Sequence, residues 1–110
     1  MHNKLVEILE QLKIPIAFQE FDGESDEYIV FDVYHDEDSD FYDNENLSET
    51  YYITLNYWFK SKSNIKKYKK IKSLLKDNDF VYTGGKDLIS NGYLGRNLDF
   101  KYIEYDLEGE

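Results

Sequence analysis

The chain has 110 residues, 41% of them hydrophobic and 33% charged, with 23 acidic against 13 basic residues and no cysteine. That length supports one domain with a modest core, and the lack of cysteine excludes a disulfide scaffold or thiolate metal site and fits a reducing compartment. A net charge of −10 argues against nucleic acid as the main partner, since phosphate binding depends on cationic side chains.

Met1 to Gln11 lacks the apolar run of a signal peptide, and no segment approaches the roughly 20 apolar residues of a membrane span. A soluble intracellular protein without a membrane partner is expected. From Asn3 to Lys13, Leu5, Ile8, Leu9 and Leu12 recur at helical spacing opposite Glu7 and Glu10, which predicts a short amphipathic helix. Pro15 ends it and biases Ile14 toward extended geometry, so Ile14 to Phe21 reads as a strand with Ile14, Ile16 and Phe18 on one face. After a turn at Asp22 to Ser25, Glu27 to His35 alternates Ile29, Phe31 and Val33 against Tyr28, Val30, Asp32 and Tyr34, a second strand expected antiparallel to the first.

Asp36 to Glu49 is acidic and rich in turn formers, and is expected to be a loop of about ten residues, longer than most connections in small domains. Thr50 to Lys60 carries the strongest strand pattern, with Tyr51, Ile53, Leu55, Tyr57 and Phe59 alternating against Tyr52, Thr54, Asn56 and Trp58. Ser63 or Asn64 can cap a helix to about Lys76, in which Ile65, Tyr68, Ile71 and Leu75 form the buried stripe and Lys66, Lys69 and Lys70 point away. Asp77 to Asp79 ends this helix and Phe80 to Thr83 begins a fourth strand. Gly84 and Gly85 permit a turn or bulge, Asn91, Gly92 and Gly95 mark another turn, and Leu98 to Asp106 supplies the last strand.

The expected fold is therefore α+β, one domain over residues 1–110. It is a two-layer sandwich of an antiparallel four- to five-stranded sheet with two helices packed on one face. The other sheet face would carry Tyr28, Val30, Tyr34, Tyr52 and Trp58, an apolar patch larger than a monomer normally exposes, so self-association is expected.

Charge is segregated along the chain. Thirteen acids and no basic residue lie between Ile14 and Phe59, and eight lysines and no acid between Lys60 and Lys76. Lysines on a helix ordinarily form a solvated face, but complementary patches of this size can also fix the register of an interface. The candidate interface residues are Asp36, Glu37, Asp38, Asp40, Asp43 and Glu45 in the acidic segment, Lys66, Lys69 and Lys70 on the helix, and Tyr52 and Trp58 on the sheet.

Catalytic and metal chemistry find no foothold. Asp36, Asp38 and Asp40 imitate the start of a calcium loop, but Phe41 stands where glycine is needed and Leu47 where a bidentate glutamate is needed. Gly84-Gly85-Lys86 is a fragment of a phosphate loop without its first glycine or its hydroxyl residue, and reads as a β-turn. His35 has no nucleophile assigned to it by spacing, and the Asn46-Leu47-Ser48 sequon matters only in a secreted protein. No enzyme activity, cofactor or metal is expected.

A short helix running into Leu12-Lys13-Ile14-Pro15-Ile16, the strand Tyr28-Ile29-Val30-Phe31, the strand Tyr51 to Phe59 followed by Ser61-Lys62-Ser63-Asn64 and a helix, then Asp79-Phe80 and a closing Gly92 to Tyr102, together resemble the small tail-terminator or tail-completion proteins of tailed phages and prophages. The resemblance spans nearly the whole chain and is one of element order and spacing. It implies an α+β structural protein without an active site. Such a protein assembles as a ring, usually hexameric, at the head-proximal end of the tail tube, with the tube protein and the head connector as partners. It would occupy the host cytoplasm during assembly and the virion tail thereafter. The alternative is a small acidic inhibitor or immunity protein whose carboxylates plug a basic active site or mimic DNA phosphates.

Overall fold

The computed structural model describes residues 1–39 and 47–106. Helix α1 spans His2–Leu9 and tightens into a 3-10 turn at Glu10–Leu12. Leu5, Ile8 and Leu9 are buried, as their spacing requires. Lys13 takes a left-handed backbone at φ 57 and Pro15 follows, which together redirect the chain into β1, Ile16–Phe18. The remaining elements are β2 (Glu27–Ser39), β3 (Leu47–Phe59), α2 (Lys67–Lys76), β4 (Val81–Ser90) and β5 (Tyr93–Asp106).

The five strands form one mixed sheet in the order β1-β2-β3-β5-β4. All neighbours are antiparallel except β1 and β2, which run parallel with Ile16 opposite Ile29 and Phe18 opposite Phe31. The sequence expectation of an antiparallel first pair is thus corrected. The reason is the segment 19–26, which does not turn tightly but runs back along the sheet. Gln19 bends away at φ 66, Phe21 stacks on Tyr28 with centroids 4.4 Å apart, and the Ser25 carbonyl accepts from the Tyr93 hydroxyl at 2.8 Å. Because β1 has only three residues, the return covers about 10 Å at 3.3 Å per residue, within reach of a short connection.

Alternation divides each long strand between two faces. Ile29 and Phe31, Ile53, Leu55, Tyr57 and Phe59, and Leu98, Phe100 and Tyr102 point to one face and form the core with Leu5, Leu9, Ile71 and Leu75 of the two helices. Phe80 enters the same core between α2 and β4, stacked on Tyr102 with centroids 4.5 Å apart. Both helices therefore cover one face, as expected from the sequence.

Of the two expectations at Gly84 and Gly85 the bulge is found, and several boundaries differ, β1 being only Ile16–Phe18 where Ile14 to Phe21 is expected. The cap before α2 is Ser61, whose hydroxyl accepts from the Ser63 amide at 3.3 Å and starts a 3-10 turn at Lys62–Asn64, so neither Ser63 nor Asn64 opens the helix and Ile65 is left exposed. Gly84 and Gly85 lie inside β4, where the register shifts between Tyr82 and Gly84. This is a bulge, and a side chain at Gly85 would strike the Asn97 carbonyl oxygen at 2.1 Å. Gly95 lies inside β5, whereas the turn is confined to Asn91 and Gly92. Finally, Asp36 to Ser39 and Leu47 to Glu49 are strand, paired from Asp36–Tyr51 to Ser39–Ser48. The described ends of the acidic segment thus extend the β2–β3 pair, and residues 40–46 lie outside the described residues.

Candidate functional site

Three surfaces carry the residues singled out in the sequence. The first is a three-stranded ribbon made by His35–Ser39, Leu47–Tyr52 and Lys101–Asp106, which continues the sheet beyond the ends of β1 and β4. Register aligns its residues in rows across the strands: Asp36, Tyr51, Tyr102; then Glu37, Thr50, Ile103; then Asp38, Glu49, Glu104. The last row places three carboxylates side by side on one face, with neighbouring strands about 4.8 Å apart, an arrangement that repels itself. Tyrosine hydroxyls bond to one carboxylate of this row and to Glu37 on the opposite face. Tyr51 donates to Glu49 at 2.6 Å and Tyr52 to Glu37 at 2.8 Å. The bond to Glu49, then burial, then the neighbouring carboxylates drive the Tyr51 phenol far above its ordinary pKa. His35 sits 3.7 Å from Glu37 with both side chains more than half exposed, a contact worth little.

Asp36 and Asp38 thus share one face with Glu49 and Glu104, while Glu37 points to the other face, where it accepts from Tyr52. Asp40, Asp43 and Glu45 lie outside the described residues, as do Phe41 and the sequon's Asn46. Glu104 could have been found only from strand register, since it is 55 residues from Glu49 in sequence. Of the calcium-loop candidates, Asp36 and Asp38 lie in extended strand, and Asp40 lies outside the described residues. Among the described residues no group of three metal-ligating side chains is placed to hold an ion.

The second surface is the outer side of α2. Lys66, Lys69, Lys70 and Lys76 are exposed, and none of them forms an ion pair among the described residues. Two other lysines are engaged inward. Lys72 lies 4.0 Å from the centroid of the Tyr82 ring, and Lys67 donates to both Glu27 carboxylate oxygens at 2.9 and 3.1 Å. Glu27 also accepts from the hydroxyl of Tyr57, a fully buried residue, at 2.7 Å. Burial alone would raise the Glu27 carboxyl, but the Tyr57 and Lys67 donors outweigh it and hold its pKa below the ordinary value. This cluster fastens the start of α2 to the sheet.

The third surface is the sheet face opposite the helices. Tyr28, Val30, Trp58 and Tyr52 are half-buried there, and Tyr34, displaced by the register shift between Val33 and His35, is exposed. Phe21 covers Tyr28, Tyr93 meets Tyr28 edge-on at 5.4 Å, and Trp58 lies over Gly95, where a methyl group would come within 2.7 Å of its ring. Part of the expected apolar patch is thus covered by the chain itself. Beside it, the buried Asn97 amide donates to Thr54 and Asn56, both at 2.9 Å, and to Asp99 at 3.1 Å, which fixes a polar band across the middle of the face.

Gly84-Gly85-Lys86 leads into no helix, so it lacks the N-terminal amides of a phosphate loop. No helix among the described residues is long and apolar enough to cross a membrane. No protein-family model matches the chain, and no curated protein is significantly similar to it.

Proposed function

We propose that this chain is a structural protein of a phage or prophage tail, of the tail-terminator or tail-completion kind. It assembles as a homo-oligomeric ring, a hexamer, at the head-proximal end of the tail tube and joins the tube to the head connector. The sequence resemblance motivates this reading, and the observation that carries it is the separation of charge. The carboxylates of the β2–β3–β5 ribbon and the exposed lysines of α2 make no ion pair with each other among the described residues, so both remain available to a neighbouring copy. In the ring, the ribbon of one subunit meets α2 of the next. Assembly takes place in the host cytoplasm and the product resides in the virion tail.

Native mass spectrometry at micromolar concentration, alone and with a tail-tube protein, tests this. A ring that dissociates as salt rises is expected, and a protein that stays monomeric and ignores tube subunits would remove the basis for the assignment. The row Asp38, Glu49, Glu104 favours a second reading, an acidic inhibitor or immunity protein directed at a basic site. The two part on substitutions: exchanging Lys66 and Lys70 for glutamate abolishes assembly in the first and is silent in the second.

A further inference from the structure

The sheet has a step on its β4 side. β4 starts at Val81, opposite Lys101 of β5, because the preceding Phe80 is buried in the core and Asp79 turns the chain at φ 73. β5 nevertheless continues to Asp106, paired on its other side with β3 as far as Leu47. From Tyr102 onward, alternate backbone N–H and C=O groups of β5 therefore face an edge that is open among the described residues. Beside that edge lies a cleft of about 480 Å³ lined by Asp79, Val81, Tyr102, Ile103, Glu104 and Tyr105.

Natural proteins blunt such edges with proline, a bulge, lysine or a covering segment. β4 does so with its bulge at Gly84 and with Lys86. The open part of β5 has no proline, bulge, lysine or covering segment among its described residues, only acidic charge such as that of Glu104, and apolar side chains lie bare along it: Val81 of β4 is 50%, Ile103 36% and Tyr105 63% exposed. The charges at the cleft are acidic, from Asp79 and Glu104, and Glu104 adjoins Glu49 and Asp38 in the carboxylate row.

We infer that this step is a strand-addition site which takes an extended segment of another protein with alternating apolar and basic residues. Main-chain hydrogen bonds to β5 supply the affinity, the apolar side chains pack on Val81 and Ile103, and the basic ones answer Glu104 and the row behind it. A second copy fits poorly, because pairing two β5 edges antiparallel over their full open length would oppose Glu104 to Glu104 and bring two carboxylate rows together. The inference does not rest on ring assembly.

The test uses the full chain, labelled with nitrogen-15, titrated with the octapeptide Lys-Val-Lys-Val-Lys-Val-Lys-Val capped at both ends. Shifts centred on Val81 and Tyr102 to Tyr105 are expected, with slowed amide exchange in that stretch of β5. Glu104→Lys should weaken binding about tenfold or more, and the same charge change at Asp36 should do clearly less. A fully N-methylated peptide should fail to bind. Equal binding of the N-methylated peptide, equal loss from Asp36→Lys, or no binding at millimolar peptide would each overturn the assignment. Concentration-dependent protection of Tyr102 to Tyr105 without peptide, in a chain whose Lys66 and Lys70 are exchanged for glutamate so that the ring cannot form, would overturn it too, by placing a second copy on the edge.

Discussion

Replacing Tyr57 with phenylalanine removes one hydroxyl and nothing else from a position that is fully buried. That hydroxyl donates to an ionised carboxylate at 2.7 Å, and bonds to charged groups contribute about 1.5–3 kcal/mol. Glu27 keeps Lys67 and some contact with water, its side chain being 24% exposed, so the loss should fall near the lower end, about 1.5–2 kcal/mol. Lys67→Met should cost less, under about 1 kcal/mol, because the lysine is 40% exposed and its attraction is screened. Urea unfolding followed by circular dichroism at pH 7 measures both. The sign with pH follows from the lowered Glu27 carboxyl: its contribution is present above the pKa of the unfolded chain and disappears as pH falls through the folded value. Tyr57→Phe should therefore be most damaging at neutral pH and approach wild type in acid. A larger loss for Lys67→Met than for Tyr57→Phe would refute the reasoning, since the exposed ion pair from α2 to β2 would then outweigh the buried phenol's bond between β3 and β2.

Gly95→Ala places a methyl group 2.7 Å from two ring carbons of Trp58 and 3.1 Å from Leu88, so the indole must move. A loss of about 1–2 kcal/mol is expected from overpacking set against alanine's better backbone propensity, and a change in the emission of the single tryptophan would report the displacement. Phe80→Ala, at a residue 2% exposed and stacked on Tyr102, should cost about 3–5 kcal/mol in urea unfolding. Asn97→Ala removes the donor shared by Thr54, Asn56 and Asp99 and should cost about 1–3 kcal/mol; a neutral result would mean that water replaces the amide on the open face.

The two-layer fold was legible because apolar periodicity is strong where both helices pack. Leu5, Ile8 and Leu9 at helical spacing and Ile53 to Phe59 at strand spacing identify their own faces. The parallel pairing of β1 was not legible, since a short strand followed by Asp22-Gly23 suggests a hairpin and only the stacking of Phe21 on Tyr28 shows the return path. The extent of β2 and β3 is hidden by the acidity of Asp36 to Glu49, which by itself suggests a solvated loop. Acidic residues are poor strand formers alone, and partners across the ladder override that preference. The candidate surface was accordingly half visible: the lysines of α2 could be read from helical spacing, whereas the meeting of Asp38, Glu49 and Glu104 depends on the register of three strands.

Position along the sheet explains why the charges segregate. On the helix-facing side, β3 runs Phe59, Tyr57, Leu55, Ile53, Tyr51 and then Glu49; β2 passes from Val33 across its register shift to Asp36 and Asp38; β5 passes from Phe100 and Tyr102 to Glu104. In all three strands the side chains change from apolar to acidic at the level where Phe80 stacks on Tyr102. Alternation continues past that level, so the ribbon is still sheet, but in the row beyond Tyr51 and Tyr102 its helix-facing side carries Asp38, Glu49 and Glu104 and no apolar residue with which to recruit a helix. A single-layer ribbon of three strands with like charges in one row is stabilised little by its own contacts. Its order should therefore rise when a cationic surface neutralises the row, and amide exchange in Tyr102 to Tyr105 should slow on binding any such partner, whether α2 of a neighbouring subunit or an added basic strand. Exchange that stays unchanged on assembly would mean that the ribbon is self-sufficient, and that its carboxylates are a solvated end and no interface.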